Sequence, residues 1–99
     1  MKYFVNQTLE IRITVTFDDD TLKLADAESV EVGCITPTGA ETKWTGTASG
    51  EAIVYGIPAG ELTNKGRYRF WGIVTFAGDP ANVYYTEAAE IELFNQGDL

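Results

Sequence analysis

The stretch Leu62-Thr63-Asn64-Lys65-Gly66-Arg67-Tyr68-Arg69-Phe70-Trp71-Gly72-Ile73-Val74-Thr75-Phe76 decides how the rest of this 99-residue chain is read. It opens as a loop in which Gly66 has access to backbone angles that other residues avoid, then continues through ten residues of aromatic and β-branched character. Such a run is a strand. Alternation places Tyr68, Phe70, Gly72, Val74 and Phe76 on one face and Arg69, Trp71, Ile73 and Thr75 on the other. Both faces carry large apolar groups, and a strand buried on one side alone does not need Trp71 and Ile73.

Working outward, the same alternation recurs. Residues 2–5 form a short candidate strand and Asn6-Gln7 a kink. From Thr8 to Phe17, Leu9, Ile11, Ile13, Val15 and Phe17 face one way and polar residues the other, as in a half-buried antiparallel strand. Asp18-Asp19-Asp20-Thr21 ends it, since aspartate favours turns. Three neighbouring carboxylates raise the idea of a calcium loop, but the D-x-D-x-D-G spacing with a downstream glutamate is missing, and a solvated turn is expected instead. Residues 22–27 read as an extended segment pinning that loop to the edge, with a short helix as the weaker alternative.

Val30, Val32 and Cys34 mark a third strand, Thr36-Pro37-Thr38-Gly39 a turn, and Glu41 to Thr45 a fourth strand. Gly46 to Gly50 has hairpin composition and leads into a fifth strand, Glu51 to Ile57, with Ile53, Tyr55 and Ile57 inward. Residues 58–66 cross between sheets, with Leu62 as an anchor. After Phe76, residues 77–82 break the chain, and Val83 to Phe94 reads as the final strand. About seven short strands punctuated by Gly, Pro and Asp, without a persistent helical period, predict an all-β antiparallel β-sandwich, with an up-and-down barrel as runner-up. Residues 1–95 are read as one immunoglobulin-like domain and 96–99 as a flexible tail. Gly66 and Tyr68 are the fold-marking pair: in immunoglobulin-like sandwiches a tyrosine near the start of the sixth strand bonds back to the preceding loop.

Composition narrows the function classes. Fifteen acidic against seven basic residues give a formal charge of −8, which repels phosphate backbones and anionic lipid, so neither nucleic acid nor membrane is an expected partner. No apolar run resembles a signal peptide or could span a bilayer, and synthesis in a cytoplasm is expected. The single cysteine, Cys34, sits in an apolar strand pattern and reads as a buried hydrophobe. The chain contains no histidine, which removes the commonest general base, the Ser-His-Asp and Cys-His arrangements and the usual zinc ligands. Glu90 and Glu92, roughly 7 Å apart on one strand face, are the remaining carboxylate pair. Alternate acids on a wet strand face are ordinary in a sandwich, so no catalytic residue, metal or cofactor is expected.

Several segments resemble the immunoglobulin-like N-terminal domain of tailed-phage baseplate upper proteins and related small immunoglobulin-like phage proteins. They are Ile11-Arg12-Ile13-Thr14-Val15, Leu24-Ala25-Asp26-Ala27, the Thr36-Pro37-Thr38-Gly39 turn, Ile53-Val54-Tyr55-Gly56-Ile57, the Leu62 to Gly66 crossing and Gly66-Arg67-Tyr68. The baseplate proteins continue into a linker and receptor-binding scaffold where this sequence stops. The resemblance therefore implies a stand-alone structural, accessory or connector protein of a bacteriophage or prophage particle (tail, baseplate or connector), made in the bacterial host cytoplasm. It would be non-enzymatic and act by contact with other virion proteins or with itself as a homo-oligomer.

The candidate interface is Trp71 and Ile73, with Trp44 and Tyr84 expected near them, because tryptophan and tyrosine concentrate at binding hot spots. The plainer reading is that a loop, the N-terminal segment or a shifted register covers these side chains. The alternative function is a carbohydrate-binding immunoglobulin-like module in which Trp44, Trp71 or Tyr84 stacks on sugar rings.

Overall fold

A computed structural model describes residues 2–18 and 20–98. They form an all-β sandwich of two sheets. β1 (Tyr3–Phe4), β3 (Ser29–Ile35), β4 (Glu41–Thr45), β7 (Gly66–Phe76), β8 (Asn82–Tyr85) and β9 (Ala89–Phe94) make the larger sheet, and β2 (Leu9–Thr14), β5 (Thr47–Ser49) and β6 (Ala52–Ile57) the smaller. β7 is the spine of the larger sheet. On one side it pairs with β3, Ser29 opposite Thr75 and Ile35 opposite Arg69. On the other it carries two strands in succession, β8 beside residues 73–76 and β9 beside residues 66–70. β4 extends the sheet beyond β3, and β1 runs parallel to the end of β9.

The sequence alternation explains the packing. Tyr68, Phe70 and Val74 of β7 turn inward onto Ile53 and Ile57 of the facing sheet, with Val32, Cys34 and Leu93 completing the fully buried core. Leu9, Ile11 and Ile13 of β2 are buried while Glu10, Arg12 and Thr14 are exposed, so burial of one face suffices to form that strand. The kink at Asn6, with φ of 63°, carries the chain from the larger sheet to the smaller. It is fixed by Asn6 N–H donating to the Leu62 carbonyl and by its own carbonyl accepting from Gly60 N–H. Leu62 is itself buried, holding the crossing between β6 and β7 against the core.

Several details depart from the sequence reading. The described residues hold nine strands rather than about seven, because two segments pair in ways their side chains do not announce. Residues 46–50, read as a hairpin connection, contain β5, whose small exposed side chains contribute little beyond backbone pairing with β6. The segment 83–94, read as one strand, is two. Thr86 N–H donates to the Gly72 carbonyl, but the Gly72 N–H is taken by the Thr86 hydroxyl at 2.7 Å, so a side chain occupies the rung that the backbone would fill. That hydroxyl also donates to the Glu87 carbonyl, and regular pairing resumes only at Ala89.

Residues 24–26 form a 3-10 turn rather than an extended segment, closed by Asp26 N–H to Lys23 and Ala27 N–H to Leu24, with Leu24 buried. β2 is assigned only to Thr14, although Val15 N–H still bonds the Glu51 carbonyl. Of the aspartate turn, Asp19 lies outside the described residues. Of the expected tail, Gln96–Asp98 form a 3-10 turn and Leu99 lies outside the described residues. No described helix is long and apolar enough to cross a membrane.

The sandwich is elongated, 49 × 24 × 21 Å, with a radius of gyration of 14.7 Å against about 13 Å for a compact chain of this length. The Gly66 end of β7 and the Phe76 end are therefore well separated surroundings.

Candidate protein-contact edge

Tyr68 and Gly66 build the first end. The Tyr68 ring is buried, and its hydroxyl donates to the Asn64 carbonyl at 2.5 Å, tying the start of β7 to the loop before it. Gly66 has φ of 126°, and a Cβ there would lie 2.9 Å from two Pro37 ring carbons, so the glycine is needed both for its angle and for its size.

The four residues named as an interface fall on two different faces. Trp44 lies opposite Val32 and Tyr84 opposite Val74, both core-facing partners, so they point inward. The expectation that they sit beside Trp71 and Ile73 is overturned by this register. The Trp44 indole stacks on Tyr55 at 5.1 Å and on Phe70 at 6.4 Å, and its Nε1 donates to Glu61 Oε1 at 3.3 Å. Tyr84 meets Phe17 and Phe76 edge-on, each at 5.8 Å, and closes the opposite end of the core.

Trp71 and Ile73 do lie on the outer face, but neither stands free. Ile73 is only 4% exposed, and Trp71 is half-buried with its indole in the space over Gly33 where a Cβ would be. The register places Ile73 between Glu31 and Tyr85.

The exposed apolar surface is instead β8, where Val83, Tyr84 and Tyr85 are 45%, 41% and 67% exposed. Val83 lies opposite Thr75 and Tyr85 opposite Ile73, so both extend the Trp71 and Ile73 face outward to the sheet edge. The sequence carried one signal for this. Three consecutive large residues cannot all turn inward in a strand, and no polar residue separates them. Beneath β8 an open cleft of about 560 Å³ separates it from the chain following β2; Thr16, Phe17, Asp18, Leu22, Tyr84 and Glu87 are among the residues lining it.

The carboxylate pair at the other end is engaged. Arg67 approaches Glu90 and Glu92 at 3.9 Å each and Arg69 approaches Glu90 at 3.7 Å, all exposed. Exposed pairs of this kind contribute about 0–1 kcal/mol each and are screened by salt. No group of three His, Cys, Asp or Glu among the described residues is placed to hold a metal ion.

Cys34 is fully buried, and burial pushes its thiol up to about 11. Below about pH 8.5, the ordinary thiol value, folded and unfolded chains both keep the proton. As the pH rises further the unfolded chain loses it first, so stability falls until the folded group titrates. Urea unfolding between pH 8.5 and 11 should show a loss of up to about 3 kcal/mol from this group. Cys34→Ala should flatten that slope, leaving the alkaline loss from Tyr68, whose ionisation burial also pushes up. Equal slopes in wild type and variant would refute this account.

Comparison with family models, curated proteins and solved structures finds no match to this chain.

Proposed function

We propose that this chain is a non-enzymatic immunoglobulin-like module that works by protein–protein contact, as a structural or assembly component of a tailed-phage particle. The observation that carries the contact reading is the exposed edge of β8, where Val83 and Tyr85 extend the face that carries Trp71 and Ile73. Large apolar side chains gathered on one edge are what a partner surface requires, whereas single exposed ones need no explanation.

The immunoglobulin-like reading is supported by the strand order. Taking β2, β3, β5, β6, β7 and β9 as strands B, C, D, E, F and G divides the chain into a BED layer and a CFG layer, with β4 beside C as C′. The Tyr68 to Asn64 bond stands where that fold has its tyrosine corner. The phage setting rests on the resemblance of the segments named above.

Both parts can be tested with Val83→Ser combined with Tyr85→Ser, two exposed changes that should leave the fold within about 1 kcal/mol of wild type. In sedimented particles from an induced host, wild type should co-sediment and the variant should be depleted at least tenfold. Absence of wild type from particles would remove the phage setting. Equal incorporation of the folded variant would remove β8 as the contact.

A further inference from the structure

We infer that the free edge of β8 receives an extended, positively charged segment of a partner protein as an added antiparallel or parallel strand. The inference rests on the contact reading above and adds its mode and the chemistry of the partner.

The backbone supplies the first argument. Thr86 N–H donates to the Gly72 carbonyl and the Thr86 hydroxyl accepts from Gly72 N–H, which marks this as a bonded position, so the alternation of an antiparallel ladder makes Tyr84 with Val74, and Asn82 with Phe76, the bonded pairs. Val83 and Tyr85 then direct their N–H and carbonyl groups away from β7, where no described strand meets them. Farther along the same edge, β1 covers β9 at Leu93 and Phe94. β8 has no such cover.

The second argument is the absence of protection. Natural edges are blunted by charge, proline or brevity. Here β2 carries Glu10 and Arg12, β4 carries Glu41 and Lys43, and β5 is three residues long. Asn82-Val83-Tyr84-Tyr85 has neither charge nor proline, and it presents alternating apolar side chains at β spacing. An extended chain can pair with such an edge through main-chain bonds while its alternate side chains meet Val83 and Tyr85 on one face and the cleft on the other.

Charge selects the partner. The cleft lining includes the carboxylates of Asp18 and Glu87 and no lysine or arginine, and Asp79 stands exposed in the turn before β8. Arg67 and Arg69 are at the far end of β7, already facing Glu90 and Glu92. With a net charge of −8, pairing β8 with β8 of a second copy would bring the same carboxylates together, so a basic partner strand is favoured over self-association.

The test uses the full chain, labelled with nitrogen-15, and three capped eight-residue peptides: alternating lysine and valine, the same peptide N-methylated at alternate residues, and alternating glutamate and valine. The lysine peptide should slow amide exchange of Val83 and Tyr85 at least tenfold at saturation and leave Tyr84, already bonded to β7, unchanged. The N-methylated and glutamate peptides should bind at least tenfold more weakly. Val83→Pro removes one outward N–H at an edge position where proline is tolerated, and it should weaken the lysine peptide at least tenfold.

Equal binding of the N-methylated peptide would reduce the interaction to charge alone and overturn strand addition. Protection confined to β2 or β4, absence of binding at millimolar peptide, or a concentration-dependent dimer through β8 would also overturn it. If the lysine peptide fails while the Val83, Tyr85 double variant is still lost from particles, the contact surface stands and the added strand falls. If the peptide binds and the double variant is incorporated normally, the added strand stands and the contact reading in the particle falls.

Discussion

Truncating Phe70 to alanine is expected to remove about 3–5 kcal/mol of stability, a large share of the roughly 5–15 kcal/mol that a domain of this size possesses. Phe70 is 1% exposed, stacks on Tyr68 at 6.3 Å and touches the Trp44 stack at 6.4 Å. Its lateral neighbours in register are Cys34 and Ala89, both too small to expand into the vacated space, so the cavity persists. Phe70→Leu keeps most of the volume and should cost about half as much. Urea midpoints at unchanged m-value measure both, and a loss below about 1 kcal/mol for Phe70→Ala would show that the ring is not the keystone its contacts imply.

The second large effect belongs to a residue without a side chain. Gly66→Ala should cost about 2–4 kcal/mol, combining the strain of a positive φ with the collision against Pro37. The two contributions are separable. In a Pro37→Gly background both colliding ring carbons are gone and the collision is relieved while the backbone strain remains, so the same glycine substitution should cost about 1–2 kcal/mol less. A double-mutant cycle with no coupling between the two positions would rule out the contact and leave strain alone.

β2 and β7 were readable from sequence because each carries an alternation long enough to define a buried face, and Thr36-Pro37-Thr38-Gly39 because its turn chemistry is local: Gly39 takes φ of 89° there. β5 was hidden because Thr47, Ala48 and Ser49 bury nothing, and their pairing with β6 is a long-range backbone event. The break at Thr86 was hidden because one hydroxyl can replace a backbone rung without changing the local pattern.

The site was half legible for a related reason. The inward and outward sets of β7 follow from its own sequence, which placed Trp71 and Ile73 on a common outer face. Whether Trp44 and Tyr84 share that face depends on which residues they stand opposite, and register is set by pairing across the sheet rather than within the strand. The exposure of Val83 and Tyr85 is signalled in the sequence only by three large residues in succession, because their place at a sheet edge follows from the break at Thr86.

The parallel pairing of β1 with β9 also gives the two ends of β7 different characters. Tyr3 lies beside Leu93, and Leu93 beside Gly66, so β1, the end of β9 and the start of β7 are laced together at the Gly66 end. β8 begins opposite Phe76, about 30 Å away along β7 at the usual rise per residue. A support gripping that end would hold the module like a peg by its base, with the aromatic edge of β8 projecting from the opposite end.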